Sequence, residues 1–322
     1  MKIERNDLVA LIGATMVAVL SLCVKDNTAQ KALFVFFMAI GIAAGYMLSK
    51  HLGTGKWEML LYGTVAVLSV LSLLLAWDSF TRGRWLVTPI VNLYIPGLFL
   101  MTLPLVVWLK NQRKLLLAAC ALGFLVFITL LMKSVDGLIL CIVLFAVLVW
   151  ERKSARTIVM ILGIALYVLM LWHHSGFTTP VETGMWQGMR AIGSAQPMSA
   201  DVLFKTAVLE DFNYGGAELL YRFGIIPFVA LLVAFGLIIS RVAKDRCRNH
   251  NRSLWQAFLM YLGVRVAVHF IGMGLLISKG MLVSVTALPL MGDGCSVFAE
   301  YAMLVWALSS AHTNEYELVS VK

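Results

Sequence analysis

Charge is what this chain has little of. Asp, Glu, Lys and Arg together make up 13% of its 322 residues, against about a quarter in a soluble domain. With 61% hydrophobic residues and a mean hydropathy of +0.88, that scarcity excludes a soluble globular protein of this size. Period-two alternation is also missing from the apolar runs, which are continuous, so a transmembrane β-barrel is excluded. Cysteine is sparse: Cys23, Cys120, Cys141, Cys247 and Cys295 stand singly, without metal-ligand spacing. They read as small buried hydrophobes, with a Cys23–Cys295 pairing as a minor alternative. No small-residue cleavage site follows Lys2 and Arg5, so the N-terminus does not read as a cleaved signal. No internal repeat is evident, which counts against a transporter built from duplicated halves.

What the chain does have is a succession of apolar runs long enough to span a bilayer, at roughly 20 residues each. They fall at 9–24, 32–48, 59–77, 87–109, 115–132, 138–150, 157–172, 219–240, 255–278 and 288–309. The expected fold is all-α: a polytopic membrane protein of about ten transmembrane helices. Residues 1–310 form one membrane domain, interrupted by a large loop at 174–218, and 311–322 form a short, polar, disordered tail.

The net charge of +9 does not point to nucleic acid, because the basic residues concentrate in alternate loops. Lys50 and Lys56, Lys110 to Lys114, Arg152 to Arg156, and Arg241 to Arg252 lie on one side together with both termini. The positive-inside rule places that side in the cytoplasm and the 174–218 loop outside. An even number of spans agrees.

Ionisable groups within or beside spans are costly, so they are functional candidates by default. Here they are Asp136, Glu218, Arg222, Arg265, His269, Asp293 and Glu300. Arg265 and His269 are four apart, which puts them on one helix face that must point inward. Glu218 and Arg222 share that spacing; an intrahelical ion pair accounts for them as well as a functional role does. Asp136 beside Gly137 is either a helix cap or part of a site. Asp293 lies between Gly292 and Gly294, where a helix can break and a carboxylate can face a polar cavity. The long loop ends in Glu210-Asp211-Phe212-Asn213-Tyr214. Adjacent carboxylates disfavour each other's ionisation, which suits a general base; a solvated acidic turn is the plainer reading.

The order of these features resembles the SEDS family (shape, elongation, division and sporulation), RodA/FtsW-like ten-span glycosyltransferases that polymerise lipid II into peptidoglycan. Gly83-Arg84-Trp85 is similar to the Arg-Trp after the family's third span, and Asp136-Gly137 to its Pro-Asp-Leu-Gly-Thr. Ala191-Ile192-Gly193-Ser194 matches the Ala-Ile-Gly-Ser that opens the large external loop, and Asp211-Phe212-Asn213-Tyr214 resembles the Thr-Asp-Phe-Ile-Phe that closes it. Leu288-Pro289-Leu290-Met291-Gly292-Asp293-Gly294-Cys295-Ser296 looks like Leu-Pro-Leu-Ile-Ser-Tyr-Gly-Gly-Ser. Arg265 and His269 fall where the family often has Gln and Asn. The fourth span's Gln-Pro-Ser-Glu is missing, with Tyr94-Ile95-Pro96-Gly97 nearby and no acid.

The resemblance implies a glycosyltransferase at the outer face of the bacterial cytoplasmic membrane, with Asp211 as general base. It would take a proton from the acceptor sugar hydroxyl, whose oxygen attacks the donor's anomeric carbon as undecaprenyl pyrophosphate leaves. Arg265, Arg222 or a divalent cation (Mg or Mn) would stabilise the leaving group, and His269, Glu218, Asp293, Asp136 and Ser296 complete the substrate-binding candidates. The implied partner is a single-span class B penicillin-binding protein. The alternatives are a non-catalytic SEDS-like activator of that partner and a polyprenyl-linked lipid transporter. An O-antigen ligase is disfavoured because the long loop holds only Arg190.

Overall fold

Long, continuous apolar stretches set where most of the helices form in this chain. The computed structural model describes residues 5–25, 27–51, 85–87, 92–94, 115–131, 135–148, 176–177, 215–244, 252–279, 281–282, 287–292 and 294–317, with single positions at Leu100, Val106, Leu109, Thr157 and Ile161. Among the described residues there are eight helices: α1 (Arg5–Val24), α2 (Thr28–His51), α3 (Leu115–Leu131), α4 (Val135–Leu148), α5 (Gly215–Phe223), α6 (Ile225–Lys244), α7 (Arg252–Lys279) and α8 (Cys295–Glu317). Four short strands form two antiparallel pairs, β1 (Trp85–Val87) with β2 (Asn92–Tyr94) and β3 (Gly176–Phe177) with β4 (Met281–Leu282). The architecture is the helical, multi-pass kind that the apolar runs require. The runs at 59–77 and 157–172 lie outside the described residues, apart from Thr157 and Ile161.

The helices pack as two compact units. The first comprises Met1–Lys31, Ile164–Lys244 and Leu262–Gly292; the second comprises Ala32–Gly163, Asp245–Tyr261 and Asp293–Lys322. In the first unit α1 packs on α6. Ala10, Ala14, Val17 and Ala18 recur at three- and four-residue steps and are buried, as are Leu231, Ala234, Phe235 and Ile238 on α6. Gly13 lets the backbones close up: a Cβ there would stand 2.7 Å from the Ala234 carbonyl oxygen. Ile12 and Val19, on the opposite side of α1, are exposed, as a lipid-facing stripe would be.

In the second unit Gly41 and Gly45 of α2 play the same part, each lying against the backbone of α8, at Phe298 and Ala302. Asn27 starts α2, its side-chain oxygen accepting the Ala29 amide at 3.0 Å. Thr28–Leu48 within it is long and apolar enough to cross a bilayer. Helices α3 and α4 pack together, and Ala118, Leu122 and Leu125 of α3 and Ile139, Val143 and Leu144 of α4 are buried.

Four expectations need correction. The run expected to open a span at residue 87 begins instead as the β1–β2 hairpin, with Trp85 opposite Tyr94; Pro89 disfavours helix at the residue before it, and Trp, Val, Leu and Tyr suit a strand. The run at 219–240 is two helices, broken at Gly224, whose φ of 82° only glycine adopts without strain and whose amide donates to the Leu220 carbonyl at 2.9 Å. Pro227 then falls in the first turn of α6, where no amide is needed. The tail expected to be disordered from 311 is helical to Glu317, since no glycine or proline after Gly294 stops α8. Finally, Cys23 and Cys120 are exposed free thiols, whereas Cys141 is buried as expected.

Candidate functional site

The polar interior of the first unit is built on three elements: the end of α1, the whole of α5, and the half of α7 from Leu262 onward. Helix α5 has only nine residues, too few to be stable alone, so its position must come from its neighbours. Its first-turn amides have no acceptor within the helix. The Gly216 amide instead donates to Nε2 of His269 on α7, at 3.2 Å. An imidazole nitrogen that accepts is unprotonated, so His269 is neutral here and carries its proton on Nδ1. Gly216 cannot carry a side chain in this arrangement: a Cβ would sit 2.8 Å from that same nitrogen.

Two residues on, Glu218 pairs with Arg222 one turn later, Oε1 to Nη2 at 2.6 Å, both side chains almost wholly buried. The expected intrahelical ion pair is present. Arg222 does more than neutralise Glu218, because its Nη1 donates to the Val24 carbonyl at the last residue of α1, at 3.2 Å. It thereby meets one of the carbonyls that a helix end leaves without an intrahelical donor.

One turn before His269 on α7, Arg265 is 1% exposed, and its Nη2 donates to the Ala287 carbonyl at 2.7 Å. The inward face expected for this pair is confirmed. From Ala287 the chain runs through a turn, with the Met291 amide donating to the Leu288 carbonyl at 3.2 Å. Leu290 in that turn is fully buried and held at φ 65°, a conformation that non-glycine residues rarely adopt. Ser21 of α1 donates to the Met291 carbonyl at 3.5 Å. The span expected to start at Leu288 does not: residues 287–292 form a turn, and α8 starts only at Cys295, after Gly294 at φ 43°.

Asp211 and Asp293 lie outside the described residues. Asp136 is in the first turn of α4, and Ser296 is a buried residue in the first turn of α8; both belong to the second unit, while Glu218, Arg222, Arg265 and His269 belong to the first. Sequence reasoning left out Gly216 and Ser21, each of which contacts these segments directly. The signal for Gly216 was present: a Gly215-Gly216 pair directly after the acidic turn, where a helix begins. Glu300, one turn after Ser296, is a buried carboxylate of the second unit. Among the described residues no group of three His, Cys, Asp or Glu side chains is placed to hold a metal ion; they supply no ligand set for the expected divalent cation.

Fold and site together define a multi-pass helical membrane protein in which buried arginine and histidine side chains hold the backbone at the end of α1, at the start of α5 and at Ala287. No family profile matches the chain, and no curated protein matches it in sequence. Solved structures do match over nearly its whole length. The rod shape determining protein RodA of Thermus thermophilus is 17% identical, covers 95% of each chain and superposes with a TM-score of 0.63. An aspartate-to-alanine mutant of that protein matches at 18% identity over 95% of this chain and 96% of that one, with a TM-score of 0.62. A chain from a peptidoglycan synthase complex, described for its structural coordination of polymerization and crosslinking, matches at 17% identity over 96% and 99%, with a TM-score of 0.63. The chain has the RodA fold, which is the SEDS architecture that the ordered motifs of the sequence resemble.

Proposed function

We propose that this chain is a divergent SEDS protein that polymerises lipid II into glycan strands at the outer face of the bacterial cytoplasmic membrane, with both termini in the cytoplasm. The observation that carries this reading is the RodA fold over 95% of the chain, combined with five sequence motifs in the family's order. Asp211 acts as the general base, accepting the proton of the acceptor's sugar hydroxyl; help of this kind is worth about a hundred- to ten-thousand-fold in rate. That oxygen bonds to the donor's anomeric carbon as the bond to undecaprenyl pyrophosphate breaks.

The departing pyrophosphate is strongly anionic, and Arg222 and Arg265 are the cations we assign to it, held by the Val24 and Ala287 carbonyls. Asp293, Asp136 and Ser296 are assigned to the substrate cavity, and Glu218 to fixing Arg222. A single-span class B penicillin-binding protein is the partner this reading calls for; the match to a chain of a peptidoglycan synthase complex supports it. No step is assigned to a metal ion.

A second reading is favoured by one specific observation, the missing acid after Tyr94-Ile95-Pro96-Gly97: a non-catalytic homologue that binds and activates its transpeptidase. The test is a glycan-strand assay with purified protein and lipid II, with and without the partner, comparing wild type with Asp211→Ala. Polymer from wild type and none from the variant supports the enzyme. Polymer from both removes Asp211 from its role. No polymer under any condition, with faster crosslinking by the partner, supports the activator.

A further inference from the structure

The described residues on either side of the stretch that carries Asp211 meet α7 or the short strand that follows it. Its first described residues, Gly176 and Phe177, pair with Leu282 and Met281, two and three residues beyond the end of α7 at Lys279. Its last residues run into Gly215, where α5 begins, and the amide of Gly216 is held by His269 of the same α7. Asp211 is five residues from Gly216, so even fully extended chain leaves it within about 18 Å of that hydrogen bond.

We infer that His269 is a positioning residue: by accepting the Gly216 amide through a neutral imidazole it fixes the first turn of α5 and so the loop end that bears the catalytic acid. Three observations converge on it. His269 is wholly buried, which is costly for a polar ring without a specific partner. The residue opposite is a glycine that admits no side chain. And α5 is short enough that a first-turn acceptor from outside decides whether that turn forms. The buried amide that would otherwise lack an acceptor makes the contact specific to a lone pair, not to shape. This inference rests on the proposed glycosyltransferase reading for the role of Asp211.

The test compares His269→Leu, which fills space but accepts nothing, with His269→Gln, whose side-chain oxygen reaches about as far as Nε2. Full-length protein in detergent, with its partner, is assayed on lipid II, and amide exchange is followed in a peptide covering residues 215–220. The expected result for His269→Leu is kcat lower by roughly tenfold or more, KM within about twofold, and faster exchange at the start of α5. His269→Gln restores both readings to near wild type. A Leu variant with wild-type kcat and exchange overturns the inference. So does a Gln variant as impaired as Leu, which would show that ring shape and not the acceptor matters, or a change confined to KM, which would make His269 a substrate contact. If the Leu variant does not purify, Gly216→Ala perturbs the same contact from the other side and must give the same kcat and exchange phenotype, or the inference fails. Failure of the enzyme reading itself is separately visible, as absence of polymer from wild type.

Discussion

Replacing Gly216 by alanine sets two physical effects against each other, and the structure says which one wins. Alanine is the better helix former by about 1 kcal/mol, so on propensity alone Gly216→Ala should stabilise α5. The new Cβ, however, would lie 2.8 Å from His269 Nε2 and 3.3 Å from a Leu288 methyl. The leucine methyl can give by a few tenths of an ångström. The ring nitrogen cannot stay, because it is already hydrogen-bonded to the amide of the same residue. Moving the imidazole strands a buried amide, at about 1–3 kcal/mol, and leaves a net loss of up to about 2 kcal/mol. In a His269→Ala background the obstruction is gone, and the same glycine-to-alanine change becomes neutral or stabilising by up to about 1 kcal/mol. The double-mutant cycle, measured by unfolding in mixed micelles, should therefore show a coupling of about 1–3 kcal/mol, with the glycine-to-alanine change moving from destabilising toward stabilising. Stabilisation by Gly216→Ala in both backgrounds would refute the contact and the argument built on it.

Three further predictions follow from the buried contacts. Arg222→Met leaves Glu218 buried without its 2.6 Å partner and should cost about 3–5 kcal/mol, whereas Glu218→Gln with Arg222→Met recovers most of that loss; detergent melting curves of the two variants and wild type check it. Gly41→Ala and Gly45→Ala drive a methyl into the α8 backbone and should each lose about 1–3 kcal/mol by overpacking, while Gly123→Ala and Gly236→Ala, with nothing within 4 Å, should be neutral or gain up to about 1 kcal/mol. Arg265→Met removes the 2.7 Å bond to Ala287 and should raise proteolytic cleavage between residues 283 and 293, with unchanged cleavage there counting against the clamp.

The sequence made the membrane class and most helices legible because bilayer solvation acts on runs of residues, a local property. It also revealed which polar residues face inward, since Arg265 and His269 cannot face lipid and their spacing fixes a common face. It paired Glu218 with Arg222 for the same reason. What it could not show was where the inward groups end up. The Val24, Ala287 and Gly216 backbone groups lie 198, 22 and 53 residues from their partners, and hydropathy is silent about such pairings. Breaks inside apolar stretches were equally hidden: Gly224 and the Trp85–Tyr94 hairpin fall within sequence that lipid would tolerate as one helix. The helical end of α8 escaped because polar composition was taken for disorder, although no residue there stops a helix.

The central claim is that this chain polymerises lipid II with Asp211 as its base. The direct measurement is the length distribution of glycan strands formed from lipid II by purified wild type and by Asp211→Ala, with the variant's melting curve taken alongside. Wild type should form strands, the variant should lose about a hundredfold or more of that activity, and the two melting curves should match. Strands of equal length and yield from both proteins would contradict it.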